Sequence, residues 1–296
     1  MNNSLKIGII AGIVAGFIAG VVAIIFQNIG FTFGLSYAMM WSPPSNFALV
    51  HILMGLIWGV IFGIIYSIGY RLIPGKGVSK SLLFGMLIFL ITNFREAVWY
   101  LPYSPAYNTQ LFPWMFIGIF MWIAYGLVLG FLYESLHQEY GIFKEEKKIV
   151  TYDMISGLHA GALAGFIGGV AAFLSRILGG LIGLFEMTIS FFKEGQWIAI
   201  TPTPFNLIAA VHIFFNMIWG IVFGLLYPLV YNLIPGKGVI KGICYGMIIL
   251  LVTSFRLGIY YLAWGEIIDL FWIWTYIGFF NTLFFGLVIG YAYKKE

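Results

Sequence analysis

Two histidines and two arginines stand at matching places within otherwise apolar stretches of this 296-residue chain. They are His51 and Arg95 in the first half, and His212 and Arg256 in the second. An ionisable side chain at membrane depth costs about 2.5 kcal/mol or more unless it faces the protein interior and finds a partner. These four residues are therefore candidates for holding an anion, a polar headgroup or a cofactor.

Polar neighbours lie at helical spacing from these residues. Thr92 and Glu96 share a helix face with Arg95, because residues three or four positions apart are neighbours on a helix. The second half repeats the threonine but not the carboxylate, and it has an asparagine one turn after its histidine. The candidate ligand-binding residues are His51, Thr92, Arg95, Glu96, His212, Asn216, Thr253 and Arg256.

We call His51, Arg95, His212 and Arg256 the His/Arg layer. Three interpretations of it stay open. In the first, the arginines are structural, bonded to backbone carbonyls or extended to outer headgroups, and the histidines donate to neighbouring helices. In the second, the layer binds a small anion or a polar lipid headgroup, as in a transporter, a channel or a lipid-handling protein. In the third, the two histidines ligate a haem whose propionates meet the arginines, or the site holds a quinone. No resident cofactor or metal is predicted.

Composition decides the class of protein. Hydrophobic residues make up 61% of the chain and charged residues only 9%, whereas an ordinary soluble domain has about 25% charged residues. The lipid bilayer must therefore surround most of the protein. The single cysteine, Cys244, excludes an internal disulfide and a cysteine-based metal cluster. The net positive charge lies in short loops, so it indicates membrane topology and not a nucleic-acid partner.

Eight apolar stretches are each long enough to cross a hydrocarbon core of about 30 Å. They are continuous, whereas the strands of a membrane barrel would alternate apolar and polar residues. We therefore predict an all-α transmembrane protein with eight helices. The spans lie near 6–27, 47–70, 80–101, 113–135, 153–176, 206–230, 241–263 and 271–293.

The second half of the chain repeats the first. Residues 57–77 recur at 218–238, 161 positions later, and the histidines, threonines and arginines above match at the same offset. The first helices match only 149 positions apart, so the second copy has 161 − 149 = 12 more residues between its first two helices. The last helices match 160 positions apart. The predicted domains are a four-helix repeat at 1–136, a cytoplasmic linker at 137–152 and a second repeat at 153–296.

Lysine and arginine positions predict the orientation of the spans. With a cytoplasmic N-terminus, the inner segments hold eleven of these residues and the outer segments hold only Lys193. Both termini are therefore expected in the cytoplasm. Because each repeat has four helices, the two repeats should run in the same direction, related by a pseudo-two-fold axis along the membrane normal.

Glycines recur at every fourth residue in the first helix of each repeat. Such a ridge lets helix backbones approach closely, and small residues replace the hydrophobic driving force that lipid does not supply. We predict tight helix packing through Gly8, Gly12, Gly16, Gly20, Gly157, Gly161, Gly165 and Gly169.

A Pro-Gly-Lys sequence follows the second helix of each repeat. Its glycine spacing does not fit a phosphate-binding loop, whereas Pro then Gly suits the two central positions of a type II turn. A tight cytoplasmic hairpin is expected at Pro74, Gly75, Lys76, Pro235, Gly236 and Lys237.

Other polar and aromatic segments are expected near the membrane surface. The aromatic-rich stretch 99–114 is interpreted as an interfacial loop shaped by its prolines. Arg176 is expected at the outer end of a helix, where water can solvate it. The insertion brings in 177–197, which is interpreted as an interfacial amphipathic segment or a lid.

The repeat resembles the YagU-like membrane proteins of prokaryotes. The similarity lies in the glycine-ridged first helix, the sequence HILMGLIWGVIFGIIY that begins at His51, the basic PGKG hairpin and the closing GLVLGFLY. It implies a small protein of the prokaryotic cytoplasmic membrane and assigns no activity.

No HExxH or GxSxG motif and no pair of membrane-embedded carboxylates is present, so an enzyme is not expected. The leading hypothesis is a protein that binds or transports a small anionic or polar-lipid ligand. The competing hypotheses are a non-transporting structural or accessory subunit of a membrane complex, which would have further membrane proteins as partners, and an electron-transfer subunit that binds haem or a quinone.

Overall fold

A computed structural model describes most of the chain, which divides into two compact units. Unit 1 is Met1–Ile149 and unit 2 is Val150–Glu296. The described residues are 3–32, 47–100, 105–139, 153–184, 190–193, 196–199, 205–263 and 268–293.

Unit 1 has four helical spans, of which the third combines two α-helices and a π-helical turn. The π turn, π1, covers Leu90–Phe94. The helices are α1 at Asn3–Thr32, α2 at Phe47–Gly69, α3 at Val78–Phe89, α4 at Arg95–Tyr100 and α5 at Pro105–Glu139.

Unit 2 has the same succession of helical spans, and its π turn, π2, covers Leu251–Phe255. It also has a short antiparallel hairpin of strands β1, Ser190–Lys193, and β2, Gln196–Ala199. The helices are α6 at Met154–Leu181, α7 at Phe205–Val230, α8 at Gly238–Leu250, α9 at Arg256–Ala263 and α10 at Ile268–Ala292.

Eight helices in the described part of the chain are long and apolar enough to cross a membrane, which confirms the predicted number of spans and indicates a multi-pass membrane protein. An α-helix is the structure expected for a continuous apolar run of this length. In lipid every backbone polar group must be hydrogen-bonded, and a helix forms these bonds within its own segment. The all-helical prediction holds for these spans, to which the structure adds the β1–β2 hairpin.

Each unit is built around its first and last helices. In unit 1, α1 packs against α2 and α5, and α5 packs against α3; in unit 2, α6 packs against α7 and α10, and α10 packs against α8. The glycine ridges lie in the α1–α2 and α6–α7 contacts. A Cβ atom on Gly8 would come within 2.6 Å of the Gly63 carbonyl oxygen, so only glycine permits this approach.

Two boundaries differ from the sequence-based expectation. The stretch 99–114 is not a loop throughout, because α5 begins at Pro105. Proline is tolerated in the first turn of a helix, where its missing N–H would have no intrahelical acceptor. At the second boundary, α6 continues to Leu181, so residues 177–181 of the insertion are helical.

Each unit has a turn with a left-handed glycine between its second and third spans. The φ angles of Gly75 and Gly236 are 104° and 91°, a region that the second central residue of a type II turn requires and that favours glycine. We call the end of each unit that has this turn the hairpin end, and the other end the far end.

Candidate functional site

The buried arginines stand directly after the π turns. Arg95 is the first residue of α4 and Arg256 the first of α9, and their side chains are 6% and 3% exposed. A π turn adds one residue to a helical turn and is frequent at functional sites. It therefore changes the helix face on which each arginine lies, relative to an uninterrupted α-helix.

In unit 1, polar side chains of π1 bond within the protein. The hydroxyl of Thr92, which is fully buried, donates to the Ile88 carbonyl at 2.6 Å and lies 3.2 Å from Oδ1 of Asn93. That same oxygen accepts a 2.8 Å hydrogen bond from Nε1 of Trp122 on α5. Asn93 thus joins the π turn to a neighbouring helix, a role that the sequence analysis missed.

In unit 2, the corresponding turn has a different set of neighbours. The Thr253 hydroxyl donates to the Ile249 carbonyl at 2.5 Å, and Ser254 is buried where the first unit has an asparagine. The guanidinium carbon of Arg256 lies 5.3 Å from the centre of the Tyr260 ring, within the range of a cation–π contact. Glu96 has no counterpart, because buried Leu257 occupies the matching position.

Both histidines are buried near the far end of their units. His51 on α2 is 5% exposed and His212 on α7 is 2% exposed. The glycine ridge reaches this level, since a Cβ on Gly20 would lie 2.7 Å from the His51 carbonyl oxygen, and one on Gly169 would lie 2.6 Å from that of His212. The backbones of the first two helices of each unit therefore touch beside the histidine.

Unit 2 has a polar cluster that the sequence analysis recognised only in part. Asn216 donates through Nδ2 to the His212 carbonyl at 2.6 Å, and it accepts from Nδ2 of Asn281 at 2.5 Å. Arg176 is close enough to His212 for its charge to act on the imidazole. We call Arg176, His212, Asn216 and Asn281 the unit 2 polar cluster.

The expected solvation of Arg176 is wrong. Its side chain is only 8% exposed, and α6 continues for five residues beyond it instead of ending there. Arg176 and Asn281 carried a usable sequence signal: their matched positions in the first repeat hold Gln27 and Met121, so the two repeats differ there in charge and polarity.

Charge is unevenly distributed among the buried side chains that the structure describes. Glu96 is the one buried carboxylate in this set, which also contains Arg95, Arg176, Lys241 and Arg256. Guanidinium groups present several N–H donors in a planar fork that matches carboxylate and phosphate oxygens. The arrangement is therefore chemically suited to oxyanions.

The hairpin ends hold a second repeated polar feature. Nζ of Lys80 donates to the Tyr70 carbonyl at 3.0 Å and lies 4.0 Å from the centre of that tyrosine ring. In unit 2, Nζ of Lys241 makes the same two contacts with Tyr231, at 2.6 Å and 4.1 Å. These lysines satisfy carbonyls at the C-terminal ends of α2 and α7, where a positive charge is favourable.

A hydroxyl–carboxylate bond joins the turn after α2 to α5 at the hairpin end of unit 1. The Tyr70 hydroxyl donates to Oε1 of Glu134 at 2.5 Å. Burial, together with this bond and the charge of Glu134, raises the pKa of Tyr70 far above its usual range. The phenol is therefore held in its neutral form as a donor.

The predicted site residues fall on different elements of the two units. Thr92, Arg95 and Glu96 lie in one helical span of unit 1, and His51 lies on α2 of the same unit. In the described residues, no three His, Cys, Asp or Glu side chains are grouped as a metal site would require.

Comparisons with known proteins do not assign a family to this chain. A scan against protein-family models, a search of curated proteins and a search of solved structures each found no match to this chain. The resemblance to YagU-like membrane proteins therefore stays a prediction.

Proposed function

We propose that this multi-pass protein belongs to a prokaryotic cytoplasmic membrane and binds or transports a small anionic or polar-lipid ligand through His/Arg sites in its outer half. The observation that carries the proposal is the buried arginine that directly follows a π turn in each unit. Arginine at membrane depth is costly, and such residues commonly mark substrate or ion pathways.

The local chemistry supports an oxyanion as the ligand. Arg95 and Arg256 each provide a guanidinium fork, and a buried histidine lies near the far end of the same unit. Charge-assisted hydrogen bonds from such groups are about twice as strong as neutral ones. Both arginines are enclosed by protein, which argues against the interpretation in which they extend to lipid headgroups at the surface.

Native mass spectrometry of gently solubilised protein tests this proposal. We expect a bound species of discrete mass on the wild-type chain, and we expect the Arg95→Gln/Arg256→Gln double variant to lose it. Arg71→Gln is the matched control, because it removes one positive charge from the exposed hairpin turn. Equal occupancy in the wild type and the folded double variant would contradict the proposal.

The same spectrum separates the alternatives. Stoichiometric association with another polypeptide and no small adduct would favour an accessory subunit. The glycine ridges give that alternative no support, because they are occupied by helix contacts inside each unit. An adduct with the mass of haem, accompanied by a Soret band, would favour the electron-transfer hypothesis.

The orientation is part of this proposal. With both termini in the cytoplasm, a green fluorescent protein fused to the C-terminus should fluoresce, and alkaline phosphatase fused there should be inactive. The reverse result would reject the orientation.

A further inference from the structure

The unit 2 polar cluster draws side chains from three helices, and its two asparagines bond to each other. Arg176 lies on α6, His212 and Asn216 on α7, and Asn281 on α10. The first three side chains are 8%, 2% and 5% exposed, and Asn281 is half-buried. Hydrogen bonds connect Asn281 to Asn216, and Asn216 to the His212 carbonyl.

Unit 1 lacks the arginine and both asparagines at the matched positions. By the offsets of the two repeats, Arg176 matches Gln27, Asn216 matches Gly55 and Asn281 matches Met121, whereas the histidine is common to both. Unit 1 therefore serves as the reference for the same helix arrangement without the arginine and the two asparagines.

The helix contact beside the Asn216 position is the same in both units. A Cβ on Gly16 would lie 2.8 Å from Cα of Gly59, and a Cβ on Gly165 would lie 2.8 Å from Cα of Gly220 at the matched position. Gly16 faces the Gly55 carbonyl, and Gly165 faces the Asn216 carbonyl. Close packing of the first two helices thus does not depend on the asparagine.

A further replacement makes room for the cluster. Gly168 stands where unit 1 has buried Ala19, and a Cβ on Gly168 would lie 2.7 Å from Oδ1 of Asn281. The smaller residue on α6 and the asparagine on α10 therefore fit together. Four positions on three helices differ from unit 1 in a mutually compatible way.

We infer that the unit 2 polar cluster is a binding site for an oxyanion, a carboxylate or phosphate group that is either free or part of a lipid headgroup. The inference rests on the proposed function and deepens it by giving oxyanion recognition to unit 2. Arg176 supplies the cationic fork, and the amide nitrogens of Asn216 and Asn281 each carry a second hydrogen beyond the bonds described above.

The first repeat supplies the test variants. Arg176→Gln, Asn216→Gly and Asn281→Met each introduce the residue of the matched position in unit 1, so the helix contacts are expected to survive. Gln27→Met is the control, because it changes the matched position of unit 1. Thermal unfolding without added anion verifies that each variant folds, and Asn281→Met tests the site independently of the buried charge.

The experiment measures oxyanion binding by the full-length chain. Inorganic phosphate, compared with chloride at equal ionic strength, is titrated into delipidated protein while its unfolding temperature is followed. In parallel, native mass spectrometry records retention of phosphatidylglycerol after release from nanodiscs. We expect Arg176→Gln to weaken the response roughly tenfold or more in the arm that matches the ligand source, and Gln27→Met to leave it unchanged.

The outcomes separate this inference from the proposed function. Wild-type binding by folded Arg176→Gln and Asn281→Met, with loss in the Arg95→Gln/Arg256→Gln double variant, would overturn the inference and leave the proposed function standing. Loss in Arg176→Gln and retention in the double variant would support the inference and reject the role of the arginines after the π turns. No response of the wild-type protein in either arm would overturn both.

Discussion

Buried cations are the side chains of this protein that cost most free energy to place in a membrane, and each lies in a local arrangement that accommodates it. Arg95 and Arg256 begin helices after π turns, and Arg256 also lies over the Tyr260 ring. Arg176 acts electrostatically on His212 of the unit 2 polar cluster. Placing an arginine at the centre of a membrane helix costs about 2.5–3.5 kcal/mol on insertion scales. Contacts within the protein must offset such a cost.

The lysines at the hairpin ends should stabilise the fold by capping helices. Lys241→Met removes a hydrogen bond to the Tyr231 carbonyl and the contact with its ring. We expect a loss of about 2 kcal/mol in the free energy of unfolding for this buried lysine, and a smaller loss for half-buried Lys80→Met. Thermal unfolding in detergent measures both, with exposed Lys76→Met as the control. Equal stability of the three variants would contradict the capping role.

The N-terminus of α6 should make stability depend on pH. Asp153 caps this helix, and hydrogen bonds from the Ser156 hydroxyl and backbone N–H lower its pKa. A folded-state pKa below the unfolded value of about 3.9 means that the stabilisation is present above that pH and is lost as the pH falls through the folded-state pKa. The advantage of the wild type over Asp153→Asn in unfolding temperature should therefore shrink on acidification.

Asp153→Asn is the informative comparison because asparagine keeps a capping oxygen without a titrating group. Asp153→Ala, which removes the cap, should be less stable than both at neutral pH. A difference between the wild type and Asp153→Asn that stays constant from about pH 6 to about pH 3 would contradict the linkage argument.

At the scale of elements, close backbone contact holds the first two helices of each unit together. A Cβ on Gly12 would clash with the Gly59 carbonyl and lie 3.0 Å from Cα of Gly63. Gly12→Val should therefore push α1 away from α2 and destabilise unit 1 by about 1–3 kcal/mol. Gly69→Ala is the control, since nothing lies within 4 Å of the added Cβ. Unfolding temperatures and protease sensitivity measure the difference, and equal values would reject the packing argument.

The π turns change the helix face on which the residues after them lie. Because π1 and π2 hold an extra residue in one turn, the residues that follow are rotated relative to an uninterrupted α-helix. Buried hydroxyl bonds of Thr92 and Thr253 to carbonyls four residues earlier accompany both turns. The position of each arginine therefore depends on the local helix geometry as well as on its place in the chain.

At the scale of the whole molecule, each compact unit has its own buried interior. The interior of unit 1 includes Tyr66, Tyr125 and Leu129, all with 0% exposure, and that of unit 2 includes Tyr227 and Ile289. We therefore expect residues 1–149 and 150–296, produced as separate polypeptides, each to insert into a membrane and fold.

Circular dichroism and cooperative thermal unfolding of the two purified halves measure this independence. Helical content and a cooperative transition in each half are the expected results. Halves that fold only when they are produced together would show that the stability of each unit depends on the other.

Hydropathy alone determined the membrane class and the eight spans, because a bilayer requires about 20 consecutive apolar residues for each helix. The repeats were readable from offsets in the sequence, and the left-handed glycines of the hairpins followed from local turn chemistry. All of these depend on a short window of residues or on identity between two windows.

Contacts across helices were decided only by the tertiary structure. The π turns, the bond from Trp122 to Asn93 and the enclosure of Arg176 depend on which side chains from distant segments come together. The start of α5 at Pro105 was also missed, since an aromatic and proline-rich stretch is equally typical of an interfacial loop. Hydropathy sums the transfer energies of single residues, whereas the pairing of buried polar groups is a property of two or more helices packed side by side.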